Sequence, residues 1–172
     1  MEDNAKQFER FEDDIRRLKR RLPRMFGIEA VNLFKSNFDK EGFTYGRNGQ
    51  VRKWKKTVNK KGGKTLTKTR RLRQGIHMKS ATSKRVVISV DKNIPYAEIH
   101  NEGGKIPVTP KMRRYFWAMF KQTGNSYYKG LALTKKTNFE IPERQYIGNT
   151  LAMEPILDKR VIKELKKITS KY

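Results

Sequence analysis

The chain has 172 residues, of which 41 are Lys or Arg and 17 Asp or Glu, giving a formal net charge of +24 at neutral pH. That length fits one domain with a modest core, and a surplus of that size repels itself unless something anionic lies beside it. The absence of cysteine excludes disulfides and thiolate zinc sites, and no apolar run approaches the ~20 residues of a membrane-spanning helix.

The opening Met1-Glu2-Asp3-Asn4 lacks the basic-then-apolar order of a secretory signal, so the product is expected to stay where it is made. Charge is unevenly spread. Residues 1–41 hold 10 basic and 9 acidic side chains, residues 42–90 hold 15 and none, and residues 91–172 hold 16 and 8. A middle segment of this kind suits a face or arm that meets a polyanion.

In chain order, Phe8, Phe11, Ile15, Leu18 and Leu22 recur at spacings of three and four and predict an amphipathic helix, which Pro23 should stop or kink. A second helical segment follows to about Phe38, ended by Gly42. From Tyr45 to Lys68 the sequence is polar and basic, with Trp54 as its one large anchor and a turn at Lys60-Lys61-Gly62-Gly63-Lys64. It reads as a loop or a long hairpin. Strands are expected around Leu72–Lys79, at Arg85–Val90 and at Tyr96–His100, the last ended by Gly103-Gly104. Lys111–Gln122 reads as a short aromatic helix entered through Pro110, residues 123–140 as a surface loop, and the repeat Met153, Leu157, Val161, Leu165, Ile168 as a C-terminal helix starting near Thr150.

The fold class expected is therefore α+β: N-terminal helices, a small antiparallel sheet with a long basic hairpin or loop, and a C-terminal helix packed on the sheet. The organisation expected is one domain, 1–172, divided into an N-terminal helical region (residues 1–41), a basic arm (42–72), a sheet with an inserted helix (73–148) and a terminal helix (149–172).

The basic segment supplies the candidate contacts with nucleic acid or an acidic partner: Arg47, Arg52, Lys53, Lys55, Lys56, Lys60, Lys61, Lys64, Lys68, Arg70, Arg71 and Arg73. Such cations bind phosphates without reading bases, with an affinity that falls steeply as salt rises. The bland alternative is a solvated, partly disordered loop. Sequence-specific reading is unsupported, since zinc-finger spacing, an RNP-type aromatic motif and a heptad-linked basic helix are all missing.

Glu98, His100 and Glu102 alternate at period two. In a strand they would share one face, which admits a weak metal or nuclease reading beside that of a structural edge row. Gly62-Gly63-Lys64-Thr65 lacks the upstream glycine of a phosphate-binding loop, and no serine-nucleophile motif is present. No cofactor, metal or catalysis is expected.

Several pieces stand out in the chain by their order and spacing. They are Glu29 to Phe38 followed by Glu41-Gly42-Phe43, then Trp54-Lys55-Lys56, then Leu66-Thr67-Lys68-Thr69 with Leu72-Arg73-Gln74-Gly75-Ile76. The most recognisable are Tyr96-Ala97-Glu98-Ile99-His100-Asn101-Glu102-Gly103-Gly104 and Ile141-Pro142-Glu143-Arg144-Gln145-Tyr146-Ile147-Gly148. Together, in this order and spacing over roughly residues 26 to 168, these pieces resemble the phage virion morphogenesis family of Mu-like tail completion proteins. Arg70 and Arg71 depart from the pattern, standing where the family often has glycine, and the Lys111–Gln122 helix is an addition relative to shorter members.

The resemblance implies a non-enzymatic virion protein that completes the tail or joins it to the head. It implies a ring of copies, for which a hexamer is one size considered, with neighbouring neck or tail proteins and phage DNA in the channel as partners and no membrane. It also marks Trp54, Tyr96, Ala97, His100, Gly103, Gly104, Pro142, Arg144 and Gly148 as motif positions of structural purpose. A ring needs head-to-tail contacts, for which Tyr115, Phe116, Trp117 and Phe120 are the candidate surface. Outside this family, the reading that remains is a sequence-neutral nucleic-acid-binding protein.

Overall fold

A computed structural model describes residues 2–56 and 63–172. Its spine is α1, Glu2–Lys40, a helix of 39 residues and so about 58 Å long at ~1.5 Å per residue. Pro23, expected to stop or kink the helix, does not stop it, for it lies inside α1.

Packing explains this. Leu18 before the proline and Met25 after it are buried with Ile168, supported by Phe11, Ile15 and Leu22; further along, Ala30, Phe34 and Phe38 enter the main core. An interior proline costs about 3 kcal/mol. Each fully buried large apolar side chain returns roughly 1.5–3 kcal/mol, so two flanking clusters outweigh one lost ladder bond. Gly27 lets the same helix meet its neighbours closely, because a Cβ there would collide with Met78 Sδ.

Among the described residues, three antiparallel two-stranded ribbons follow: β1 (Gly42–Thr44) with β2 (Val51–Lys53), β3 (Ile76–Ala81) with β4 (Val86–Val90), and β5 (Gly104–Pro107) with β6 (Asn138–Ile141). The β3–β4 ribbon carries a register shift between Met78 and Ser80 and lies against α1. The α+β class holds, built from separate ribbons in place of one small sheet. A lone ribbon is only marginally stable in water, and each one here leans on helices or on the core.

The C-terminal helix, α6 (Met153–Thr169), begins close to its expected start. Its main packing is along α1, not on a sheet as expected. Lys171 Nζ donates to Asp14 Oδ2 at 2.7 Å, and Tyr172 stands edge-on to Phe11 at 5.6 Å, closing that end. Glu164, buried between the two helices, holds Lys167 at 3.0 Å. The lysine hydrogen bond keeps its carboxyl below the usual carboxylate range.

Elsewhere the local reading is corrected. Arg71–Gln74 forms a short helix, α2, so the strand expected from Leu72 starts only at Ile76. Residues Ala97–Glu102 form α3, a helix where a strand was expected. The seven residues between Pro95 and Gly103 are too few for periodicity to separate the two states, and the amide of His100 closes a helical turn on Tyr96 O at 3.2 Å.

The aromatic helix is α4, Pro110–Thr123, with Pro110 in its first turn and Thr109 Oγ1 accepting from Met112 N at 3.2 Å. Residues 123–140, expected to be loop, contain α5 (Ser126–Ala132) and most of β6. In the main core Phe38, Ile76 and Tyr146 are almost wholly enclosed, with Phe43, Trp54, Leu72 and Ile94 around them.

Candidate polyanion and assembly surfaces

The motif residues meet in a polar knot around the end of α1. Asn37 has no exposed surface. Its Nδ2 donates to Tyr146 O at 3.0 Å, while its Oδ1 accepts from Thr44 N at 3.1 Å and from Thr44 Oγ1 at 2.8 Å. One amide on the helix thereby satisfies groups on the ribbon and on the 141–148 segment, as buried polar groups require.

Asn101 Oδ1 accepts from the amides of Tyr146 and Ile147 at 3.0 and 3.1 Å, and Tyr146 Oη donates to Ala97 O at 2.9 Å. Enclosure pushes the Tyr146 phenol up to about 12. Gly103 turns the chain at φ 74°, where a Cβ would come within 2.7 Å of Glu143 N. Thus the stretch from Tyr96 to Gly104 and the stretch from Ile141 to Gly148, remote in sequence, are one piece of structure.

This knot holds the root of the basic segment. Trp54 is buried edge-on against Phe38 at 5.4 Å; its Nε1 donates to Gln145 O at 2.7 Å and its amide to Glu41 O at 2.8 Å. Arg144, although a cation, is buried, and its Nε donates to Lys55 O at 2.9 Å. Desolvation lowers the pKa of this guanidinium.

On the returning side, Thr65 is buried and its amide donates to Glu41 Oε1 at 2.6 Å, a bond that also lowers the Glu41 pKa. Glu41 therefore receives the segment on both sides: its carbonyl takes the outgoing strand and its carboxylate the returning chain.

The twelve basic residues expected at a contact surface do not form one class. Lys60 and Lys61 lie outside the described residues. Lys53 Nζ donates to Lys40 O at 2.7 Å and Lys64 Nζ to Asp39 O at 3.0 Å, so both cap the carbonyl end of α1, where a cation opposes the helix dipole. Arg73 is bidentate on Asp39, with both distances 2.8 Å. Arg47 pairs with Glu154, and Arg52 lies over the Tyr45 ring at 5.4 Å. Lys55, Lys56, Lys68, Arg70 and Arg71 are exposed.

The acidic-imidazole row does not exist as expected. On α3, Glu98 and Glu102 are one turn apart and exposed, whereas His100, two residues from each, turns inward and is half-buried. Its ring is edge-on to Tyr96 at 5.8 Å, and burial, with the charge of Arg144, lowers its pKa. Among the described residues no three His, Asp or Glu side chains converge.

The four aromatics proposed for subunit contact also divide. Tyr115 and Trp117 are exposed, while Phe116 faces Phe139 at 6.3 Å and Phe120 lies beneath Lys129 at 5.7 Å. Sequence reasoning missed Asn37, Asp39 and Glu41. The signal for the first was a lone amide within an apolar helical stripe, and for the others the two carboxylates just before an acid-free segment.

Comparison with curated proteins and with solved structures found no match. A family model described as the phage virion morphogenesis family matches residues 2–166, nearly the whole chain. The chain, with its paired motif segments folded into a single knot, belongs to the phage virion morphogenesis family.

Proposed function

We propose that the chain is a non-enzymatic structural subunit that completes the tail of a tailed phage or prophage, or forms the neck ring joining tail to head, with its basic segment turned toward DNA or an acidic neighbour. One observation carries this reading. Within a stretch of 15 cations that has no carboxylate, the loop carrying Lys55, Lys56, Lys60, Lys61 and Lys64 is rooted on both sides in a buried, hydrogen-bonded base, at Trp54 and Lys55 on the outgoing side and at Thr65 on the returning one. A solvated linker needs no such base.

Folding leaves Lys55, Lys56, Lys68, Arg70 and Arg71 exposed for a polyanion, and uses Lys53, Lys64 and Arg73 to fix the end of α1. Head-to-tail association needs an apolar contact, and the exposed Tyr115 and Trp117 are the members of the aromatic set available for one. Light scattering over a range of protein concentrations, with electron microscopy of the largest species, tests the proposal. Rings, or stable attachment to incomplete tails, are expected. A strictly monomeric protein that attaches to no partly assembled tail refutes it.

The second reading is sequence-neutral nucleic-acid binding as a monomer, which the same exposed cations favour. It requires that log affinity fall linearly with log salt while the protein stays monomeric.

A further inference from the structure

A second acid-free stretch lies outside the basic middle segment. Between Glu102 and Glu140 the chain carries eight Lys or Arg and no Asp or Glu. Structurally this stretch is a helical hairpin, α4 and α5, mounted on the β5–β6 ribbon. It is internally braced: Arg113 Nη1 donates to Ala132 O at 3.1 Å and to Thr134 O at 2.6 Å.

The apolar side of α4 is turned inward, Phe116 against Phe139 and Phe120 beneath Lys129. The other side carries Lys111, Arg114, Ala118 and Lys121, all exposed. Spacings of three, four and three put these four on one stripe of the helix. The stripe is about 15 Å long at ~1.5 Å per residue.

We propose that this hairpin is a second DNA-contacting element, in which Lys111, Arg114 and Lys121 grip the phosphate backbone of duplex DNA. Duplex DNA presents one negative charge per ~1.7 Å of axis, so a short cationic stripe meets several phosphates at once. The face is poorly suited to the other polyanions. An interfacial helix on a lipid surface buries its apolar side in the membrane, and here that side is turned against Phe139 of β6 and the Lys129 side chain. A protein interface needs a desolvated apolar centre, and the centre of this stripe is Ala118. Tyr115 and Trp117 flank the stripe on either side, so a subunit contact there is separable from the cationic face by substitution.

The test uses the full chain and a short mixed-sequence duplex, with affinity measured by fluorescence anisotropy across a salt series. The triple change Lys111→Gln, Arg114→Gln and Lys121→Gln alters only exposed side chains. A control triple on α6, Lys159→Gln, Lys163→Gln and Lys166→Gln, removes the same charge elsewhere.

Each phosphate contact contributes about 0.9 to the slope of log affinity against log salt. The α4 triple is expected to lower that slope by about two to three units, with an unchanged circular dichroism spectrum, and the control triple by less than one. Equal slopes for the two triples overturn the proposal, as does a parent protein that does not bind the duplex. An unchanged slope combined with loss of self-association in light scattering reassigns the face to a subunit contact. An unchanged slope combined with loss of binding to phosphatidylserine vesicles reassigns it to a lipid surface. Light scattering of the parent separates failure of this inference from failure of the ring.

Discussion

Replacing Asn37 with Leu should cost more stability than any surface change. The substitution roughly conserves volume, so its effect is that of removing hydrogen bonds. Three buried groups lose a partner: Thr44 N–H, the Thr44 hydroxyl and Tyr146 O. An unsatisfied buried group costs about 1–3 kcal/mol, and the added apolar burial offsets roughly 1–2 kcal/mol. The hydroxyl still accepts from Lys40 Nζ at 3.1 Å, which places it at the low end. A net loss of about 3–5 kcal/mol follows, a large share of the 5–15 kcal/mol typical of a domain. For a chain of this length that is a fall in Tm of about 10 °C.

Thermal and urea melts followed by circular dichroism measure it. Because Tyr146 is flanked by the residues that hold Trp54 and Lys55, tryptic cleavage between Lys55 and Lys64 should accelerate in the same variant. A variant that folds with Tm lowered by less than about 2 °C, at an unchanged urea dependence, refutes the claim that this amide ties helix, ribbon and loop together.

Three further substitutions probe separate regions of the structure. Pro23→Ala restores an amide that can donate to Lys19 O within a continuous helix and should raise stability by up to about 3 kcal/mol; no gain in a urea melt means that α1 is broken at this point in solution. Gly103→Ala, at φ 74° and facing Glu143 N, should destabilise by about 1–3 kcal/mol, and an unperturbed melt contradicts that backbone geometry. Burial and the charge of Arg144 put the folded pKa of His100 below the ordinary value of 6.5. The unfolded chain then binds the extra proton first, and stability is present above that value and declines as pH falls through it. His100→Gln should flatten this acid-side decline, and identical pH profiles for variant and parent refute the assignment.

What could be read from the sequence followed the strength of each local signal. The 3.6-residue periodicity of the two halves of α1 and of α6 and the Pro110 start of α4 were strong enough to place those helices. Proline chemistry at position 23 argued correctly about the lost hydrogen bond but could not weigh the tertiary burial of Leu18, Met25, Phe34 and Phe38 against it. Between Tyr96 and Glu102 the alternation of polar residues fits a strand and a short helix equally, and the turn closed by His100 N on Tyr96 O, which brings Asn101 onto Tyr146, is seen only in the fold.

The candidate surface divided in the same way. That residues 42–90 lack carboxylates was visible at once, and that Trp54 anchors them was legible because it is the one large apolar side chain in a polar run. Which cations are consumed internally was not legible, since Asp39 and Glu41 meet Arg73 and Thr65 only through the fold. The resemblance of the 96–104 and 141–148 segments to family motifs pointed to structural importance. The knot they form with Asn37, a residue outside both segments, supplies the physical reason.

The most direct measurement of the proposed role is electron microscopy of partly assembled tails mixed with gold-labelled protein. Label confined to one end of the tail is the expected result. Tails that remain unlabelled, with a protein that stays monomeric at every concentration, contradict it.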